Sequence, residues 1–259
     1  YLHDWGVTPF RGKMEALAGV RDYLDEIRQD YVVLMEGDLV ANLPLSDIFE
    51  HHLRTHADIT AVCGDDSFAT ENGTYFEKEP DGRIREVLIN MHRPRGYRSL
   101  DVFIMSTELL RSLVDECQAR DQYSFRRDVL QAKQNLLNLQ SYTFSGFAAQ
   151  IRSVQEYYDR SMQLLDRDIR ADLFTPERPV RAKGADKAST YIGPDGVCLN
   201  SLVAEGCRIE GTVVNSILFP GVTVERGAEV QGCILFRGTC VRRNARLAHV
   251  ITDKHVELL

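Results

Sequence analysis

Asn215-Ser216-Ile217-Leu218-Phe219-Pro220-Gly221-Val222-Thr223-Val224 has a near-copy on either side of it. Upstream stands Asn200-Ser201-Leu202-Val203-Ala204-Glu205-Gly206-Cys207-Arg208-Ile209, and downstream Gly232-Cys233-Ile234-Leu235-Phe236-Arg237-Gly238-Thr239-Cys240-Val241. The starting positions 200, 215 and 232 step by 15 and then 17 residues, which is three units of five or six residues per step. Short apolar side chains return to the same place with Gly or Asn between them. A triangular parallel β-solenoid produces this pattern, with one inward residue per face and a turn at each corner. An antiparallel sandwich has similar strand spacing but no reason to be self-similar. The repeat therefore predicts a β-helix over 191–259, with small Cys, Ala and Val residues filling a cramped interior.

Moving towards the N-terminus, 166–190 reads as a linker. It is charge-rich from Asp166 to Asp172, carries Pro176 and Pro179, and ends in Arg181-Ala182-Lys183-Gly184-Ala185-Asp186-Lys187. Residues 1–165 alternate between the two periods. Helices are expected over Arg11–Arg28, over Leu45–His56 with Ser46 as N-cap, over Thr107–Glu116 and over Gln155–Leu165. Tyr31–Met35 and Ile59–Cys63 read as strands buried on both faces, and Leu100–Met105 as a third strand. Thr74–Phe76 and Ile84–Ile89 flank the turn Pro80-Asp81-Gly82. Such alternation implies an α/β domain with a mostly parallel sheet.

Composition excludes several classes of function. No apolar run approaches the ~18 residues of a membrane-spanning helix. The formal net charge of −7 gives no reason to expect nucleic-acid binding. The six cysteines form no Cys-x-x-Cys pair, and their spacing gives no zinc site; reduced thiols, and hence the cytoplasm, are expected. Tyr1-Leu2-His3-Asp4-Trp5 shows neither a start methionine nor a signal pattern, so a piece of a longer chain is expected, and Trp5 carries no interpretation.

An α/β domain followed by a β-helix resembles the sugar-nucleotide pyrophosphorylases. The local motifs resemble the glucose-1-phosphate adenylyltransferase (ADP-glucose pyrophosphorylase) family. Tyr31-Val-Val-Leu-Met-Glu-Gly-Asp38 resembles that family's strand ending in Gly-Asp, and Arg11-Gly12-Lys13-Met14-Glu15-Ala16 its R-G-T-A-D-A segment. Tyr142-Thr-Phe-Ser-Gly-Phe147 resembles Y-x-F-x-G-Y, and Asn215–Val222 resembles N-S-V-L-F-P-G-V. The resemblance implies a nucleotidyltransferase-type, Rossmann-like sheet, its N-terminal part missing, followed by a left-handed parallel β-helix of hexapeptide-like repeats.

The implied reaction joins ATP and glucose 1-phosphate into ADP-glucose for glycogen synthesis. It is mostly positioning and charge neutralisation. Magnesium held by carboxylates would be needed if the chain is active. Asp38 matches the family's metal-binding aspartate. Gln150 stands where a second carboxylate belongs. The sugar-phosphate lysine is missing from Leu88-Ile89-Asn90-Met91, and Glu77-Lys78-Glu79-Pro80 comes too early and reads as a solvated turn. The family's T-A-D is Lys13-Met14-Glu15 here, and S-M-G is Ser99-Leu100-Asp101. Gly12 and Ser99 remain from the sugar-phosphate side, and Arg93, Arg95 and Arg98 are candidates for an anionic effector or a remnant phosphate site.

These departures resemble a GlgD-type, non-catalytic subunit. The resemblance then implies a tetramer with a catalytic GlgC-type subunit, with copies of itself, or with both, with contacts expected around Ile217, Phe219 and Phe236. Two alternatives stay open. The first is an active nucleotidyltransferase using Asp101, Asp128 and Lys78. The second is a β-helix acyltransferase, for which His249 and His255 are the histidines available in the solenoid.

Overall fold

The computed structural model describes residues 10–64, 73–93, 95–181 and 188–259, so Trp5 and most of the basic end of the expected linker lie outside the described residues. The chain divides into two compact units. One is the chain up to Leu39 together with Leu43–Ala148; the other is Val40–Asn42 together with Ala149–Leu259. Among the described residues no helix is long and apolar enough to cross a membrane.

The first unit is a mixed sheet with helices. Its strands are β1 (Tyr31–Met35), β3 (Ile59–Cys63), β4 (Thr74–Lys78), β5 (Ile84–Ile89), β6 (Tyr97–Ser106) and β7 (Leu139–Thr143), while β2 (Leu39–Ala41) pairs with β8 (Ala148–Gln150) in a separate ribbon. The sheet runs β5-β4-β6-β3-β7, with β1 also on β6. Strands β3 and β7 are parallel, whereas β6 is antiparallel to β1, β3 and β4. It follows that β1, β3 and β7 share one direction, as helical crossovers require. The mostly parallel sheet expected from alternation is nevertheless mixed, because β6 inserts between β1 and β3 and the β4–β5 hairpin is antiparallel.

Helices α1 (Lys13–Ala18) and α2 (Arg21–Glu26) replace the single helix expected over Arg11–Arg28, broken at Gly19-Val20. Helix α3 (Leu45–Arg54) starts from Pro44 rather than Ser46. Helix α4 (Thr107–Ala119) is capped by the Ser106 hydroxyl, and a π-helix over Phe125–Gln131 by that of Ser124. The core joins β3, β4, β6, α4 and the π-helix through Ile59, Phe76, Phe103, Leu113, Phe125 and Leu130. Strand β3 is buried throughout, but β1 is not: among the described residues it pairs only with β6, and Val33 and Met35 remain 44% and 48% exposed. An edge strand has fewer neighbours to cover its faces, so an apolar run alone did not guarantee burial.

The second unit begins with helices α5 (Val154–Gln163) and α6 (Arg167–Leu173). Asp166 caps α6, so the expected linker is helical at its start. The α5 helix packs on the solenoid: Tyr157 meets Phe236 edge-on, and the Tyr158 hydroxyl donates to the Gly232 carbonyl at 2.7 Å.

The solenoid has three parallel ladders. In one, Val197, Thr212, Glu229 and Arg246 stack in register; in another, Leu202, Ile217 and Ile234; in the third, Arg208, Thr223, Cys240 and Glu257. Its corners explain the sequence repeat. Asn200, Asn215, Gly232 and His249 occupy one corner with φ of 42°, 48°, 60° and 55°; Gly206, Gly221, Gly238 and His255 occupy a second with 72°, 76°, 71° and 57°. These are left-handed conformations that Gly and Asn adopt at little cost. A second ladder follows the first corner. The Ser201 hydroxyl accepts from the Ser216 amide, and the Ser216 hydroxyl from the Cys233 amide, both at 3.0 Å. Inside lie Cys207, Ile209, Val213, Val224, Val230 and Cys233.

Candidate functional site

Strand β6 carries the departure that organises a cleft in the first unit. At Asp101 the backbone has φ 57°, the conformation glycine favours, and glycine is the residue the sequence resemblance places there. Aspartate tolerates it because its short side chain can bond locally. The Ser99 hydroxyl accepts the Asp101 amide hydrogen at 3.1 Å and helps fix the turn. Ser99 itself is buried.

Asp101 is only 3% exposed, and a carboxylate removed from water needs a cation. Arg126 supplies it, donating from the π-helix to Asp101 Oδ2 at 2.8 Å. The same guanidinium reaches Glu36 Oε1, just past the end of β1, at 3.3 Å. Lys13 Nζ, from the first turn of α1, lies 3.2 Å from the same Glu36 oxygen. The Lys13 ammonium also sits 5.6 Å and 5.8 Å from the ring centres of Phe103 and Phe125, which pack at 4.9 Å. Among the described residues, ion pairs thereby link Lys13, Glu36, Arg126 and Asp101 in one chain. It lies beside a cleft of about 300 Å³ lined by Arg11, Gly12, Lys13, Glu36, Tyr123, Ser124, Phe125, Arg126 and Arg127.

Gly12, Arg11 and the residues next to the cleft are held by local contacts. A Cβ at Gly12 would stand 2.3 Å from the Tyr123 carbonyl oxygen, which accepts the Met14 amide at 3.0 Å. Gly12 is therefore required for close approach of two backbones. Glu15 pairs with Arg11 at 2.9 Å, and Arg11 with Asp121 at 2.7 Å. Asp128 accepts the amides of Tyr123 and Ser124 at 3.1 Å and 2.8 Å, a local cap.

The arginines of the β5–β6 loop differ in their surroundings. Arg98 is buried in β6, Arg95 turns out to Glu77 at 2.7 Å and Glu86 at 3.7 Å, and Arg93 is exposed. Lys78 is not in a solvated turn. It ends β4 half-buried, donates to Thr143 Oγ1 at 2.5 Å and lies 3.8 Å from the Tyr97 ring centre. In the second unit His249 folds back on Gly232, with Nδ1 2.9 Å from the Tyr158 hydroxyl. This places it in a corner contact rather than in an acyl-transfer site.

Residues 185–259 match a family model described as GlmU-like, C-terminal hexapeptide. The chain is 27% identical over 255 residues, 96% of its length, to a glucose-1-phosphate adenylyltransferase of Acetivibrio thermocellus. It is 29% identical over 237 residues, 92% of its length, to the glycogen biosynthesis protein GlgD of Bacillus subtilis. A GlgD of Geobacillus stearothermophilus is 32% identical over 209 residues, 81% of the chain. These similarities support the glucose-1-phosphate adenylyltransferase and GlgD family for this chain. It spans 60%, 60% and 52% of the length of these three relatives.

Asp38, which follows β1, is a carboxylate, but Gln150 at the end of β8 is a neutral amide. Among the described residues no group of three His, Cys, Asp or Glu side chains is placed to hold a metal ion. Magnesium is held by charged oxygen donors, and of these two positions only Asp38 supplies one. The sequence flagged Lys13 and Asp101 as altered family positions but missed that they belong to one network. The readable signal was an acidic residue in place of glycine with an arginine to match it, in Arg126-Arg127-Asp128.

Proposed function

We propose that this chain is part of a regulatory or structural subunit of glucose-1-phosphate adenylyltransferase, supporting ADP-glucose synthesis for glycogen while not catalysing it alone. The observation that carries this reading is the Lys13–Glu36–Arg126–Asp101 network. It joins two altered family positions, Lys13 for Thr and Asp101 for Gly. A buried carboxylate in place of the sugar-pocket glycine repels a sugar phosphate, and the neighbouring cations are spent on internal partners. Gln150 and the segment Leu88-Ile89-Asn90-Met91 add a missing metal carboxylate and a missing lysine. The similarity to two GlgD proteins of glycogen biosynthesis agrees with this assignment.

The partner is a catalytic subunit of the same family, in a tetramer in the cytoplasm. Phe219 is 38% exposed beside the half-buried Phe236, their ring centres 4.9 Å apart, and this pair is the proposed contact. The test is ADP-glucose formation from ATP, glucose 1-phosphate and magnesium, using the full-length protein alone and mixed with a catalytic homologue. No turnover alone, with changed rate or substrate affinity in the mixture, is expected. Robust turnover by the protein alone refutes the assignment and favours the catalytic role that the name of the Acetivibrio relative carries.

A further inference from the structure

We propose that a pocket at the amino ends of β1 and β3 is a binding site for a small organic cation carrying a primary ammonium group. The inference goes beyond the subunit assignment and does not rest on it. The pocket holds about 200 Å³, and its lining includes Tyr31, His52, His56, Asp58, Ser106 and Leu109. It lies at the opposite end of β1 from Glu36 and Asp38, and shares no lining residue with the cleft beside the π-helix. His52 is only 3% exposed. Its Nδ1 lies 2.8 Å from Thr60 Oγ1, while Nε2 has no partner among the described residues and stays open to the pocket. A polar atom so placed is satisfied only by water or by a ligand.

The ligand class follows from the lining. Among the described residues Asp58 is the one carboxylate on the pocket wall, and no lysine or arginine lines it. Asp58 Oδ2 accepts the Asn138 amide at 2.7 Å, and Oδ1 has no partner among the described residues. Burial holds the His52 imidazole below its ordinary value, against a smaller pull from Asp58, so the ring is uncharged at neutral pH. When Nδ1–H donates to Thr60 Oγ1, Nε2 keeps its lone pair. The Tyr31 ring adds an aromatic wall, held edge-on to His52 at 5.5 Å and to Phe49 at 5.0 Å. An ammonium supplies N–H donors to the carboxylate and the imidazole together, and an aromatic ring attracts it. A metal ion is a poorer occupant. His52, His56 and Asp58 all line the pocket, yet among the described residues no three such side chains are placed to hold one. The wall is also fixed in advance. Asn138 Nδ2 donates to the carbonyls of Thr55 and His56 at 3.1 Å and 2.9 Å, pinning the left-handed turn at His56.

The experiment titrates propylammonium, propanol and propionate into the full-length protein at constant ionic strength, read by the ring nitrogen resonances of His52. Propylammonium is expected to saturate with a dissociation constant of about 1–10 mM, the range open to a ligand this small, and the other two to bind at least about tenfold more weakly. Asp58→Asn, which can still accept the Asn138 amide, is expected to cost at least about tenfold in propylammonium affinity. Tyr31→Leu is expected to cost about threefold, through loss of the ring. No saturation below about 100 mM overturns the proposal. Equal binding of the three ligands overturns it too, as does propylammonium binding that Asp58→Asn leaves unchanged. The three-ligand comparison uses the unaltered protein, so it decides even where a variant fails to fold. Binding is read without turnover, so failure here leaves the subunit assignment standing, and the activity assay decides that assignment independently.

Discussion

Asp101 and Arg126 are bonded at 2.8 Å across 25 residues of chain, one from a left-handed turn inside a strand and the other from a π-helix. Each makes the other tolerable. The carboxylate is nearly sealed from water, while the guanidinium keeps 26% of its side chain exposed. This asymmetry sets the cost of breaking the pair. Arg126→Ala takes a close cation from a buried carboxylate and is expected to destabilise the first unit by about 2 kcal/mol. Asp101→Gly leaves only a partly hydrated cation with Glu36 and costs less. The double variant Arg126→Ala/Asp101→Gly is expected to recover more than half of the Arg126→Ala loss in denaturant unfolding. Additive losses would show that the pair does not act as a unit.

Glycines in the chain differ sharply in what surrounds them. At Gly211 a Cβ would meet the Ala228 carbonyl oxygen at 2.4 Å and that of Glu225 at 2.7 Å, both backbone atoms of the next coil. Backbone in a hydrogen-bonded ladder has little freedom to retreat. Gly211→Ala is expected to destabilise the solenoid by about 3 kcal/mol. At Gly37 nothing lies within 4 Å, and Gly37→Ala is expected to shift the melting temperature little. Equal effects at both positions would contradict the coil spacing described above.

Two histidines of α3 weaken the fold in acid. His52 is buried, with Nδ1 2.8 Å from Thr60 Oγ1, and burial pushes its imidazole below the ordinary value, against a smaller opposing pull from Asp58. His51 is held low by burial first and by the neighbouring Arg54 second. Below the unfolded value of about 6.5 the unfolded chain takes up protons that the folded one refuses. Stability is therefore fully present above that pH and falls as pH drops from 6.5 towards the lowered folded values. His52→Gln, which can still bond Thr60, is expected to flatten this slope in thermal melts between pH 7.5 and 5.5. An unchanged slope would place the acid sensitivity elsewhere.

The solenoid was legible because its constraint is local and repeated: a left-handed corner admits Gly or Asn, and the corner recurs at each coil. His249 and His255 broke the pattern in sequence yet keep it in space, each folding over the glycine one coil earlier. The α/β unit was legible in its elements but not in its pairing. Strand β6 is adjacent to β1 and β3 only through the sheet, and nothing in Leu100–Met105 declares a partner. The exposure of β1 was hidden for the same reason. The site was half legible. Asp101 stood out as a charged residue in place of glycine, but its partner lies on a π-helix whose period matches neither helix nor strand templates.

Restoring family residues tests how many parts are missing. Gln150→Asp alone is expected to produce no ADP-glucose. Asp101 still closes the sugar side, and the segment Leu88-Ile89-Asn90-Met91 still holds no lysine. Removing one charge-neutralising group typically costs about 10²–10³ in rate, so repairing one of three leaves a deficit of at least about 10⁴. Asn90 has φ 52°, and its amide bonds the Gly73 carbonyl at 3.0 Å. A lysine there must adopt the left-handed conformation at a cost of about 1–2 kcal/mol, so Asn90→Lys is itself an imperfect repair. The triple variant Gln150→Asp/Asp101→Gly/Asn90→Lys is expected to show slow but measurable turnover in a full-length protein. Radiolabelled glucose 1-phosphate incorporated into ADP-glucose provides the sensitivity. Turnover by Gln150→Asp alone, equal to that of the triple variant, would mean that neither Asp101 nor Asn90 limits the reaction.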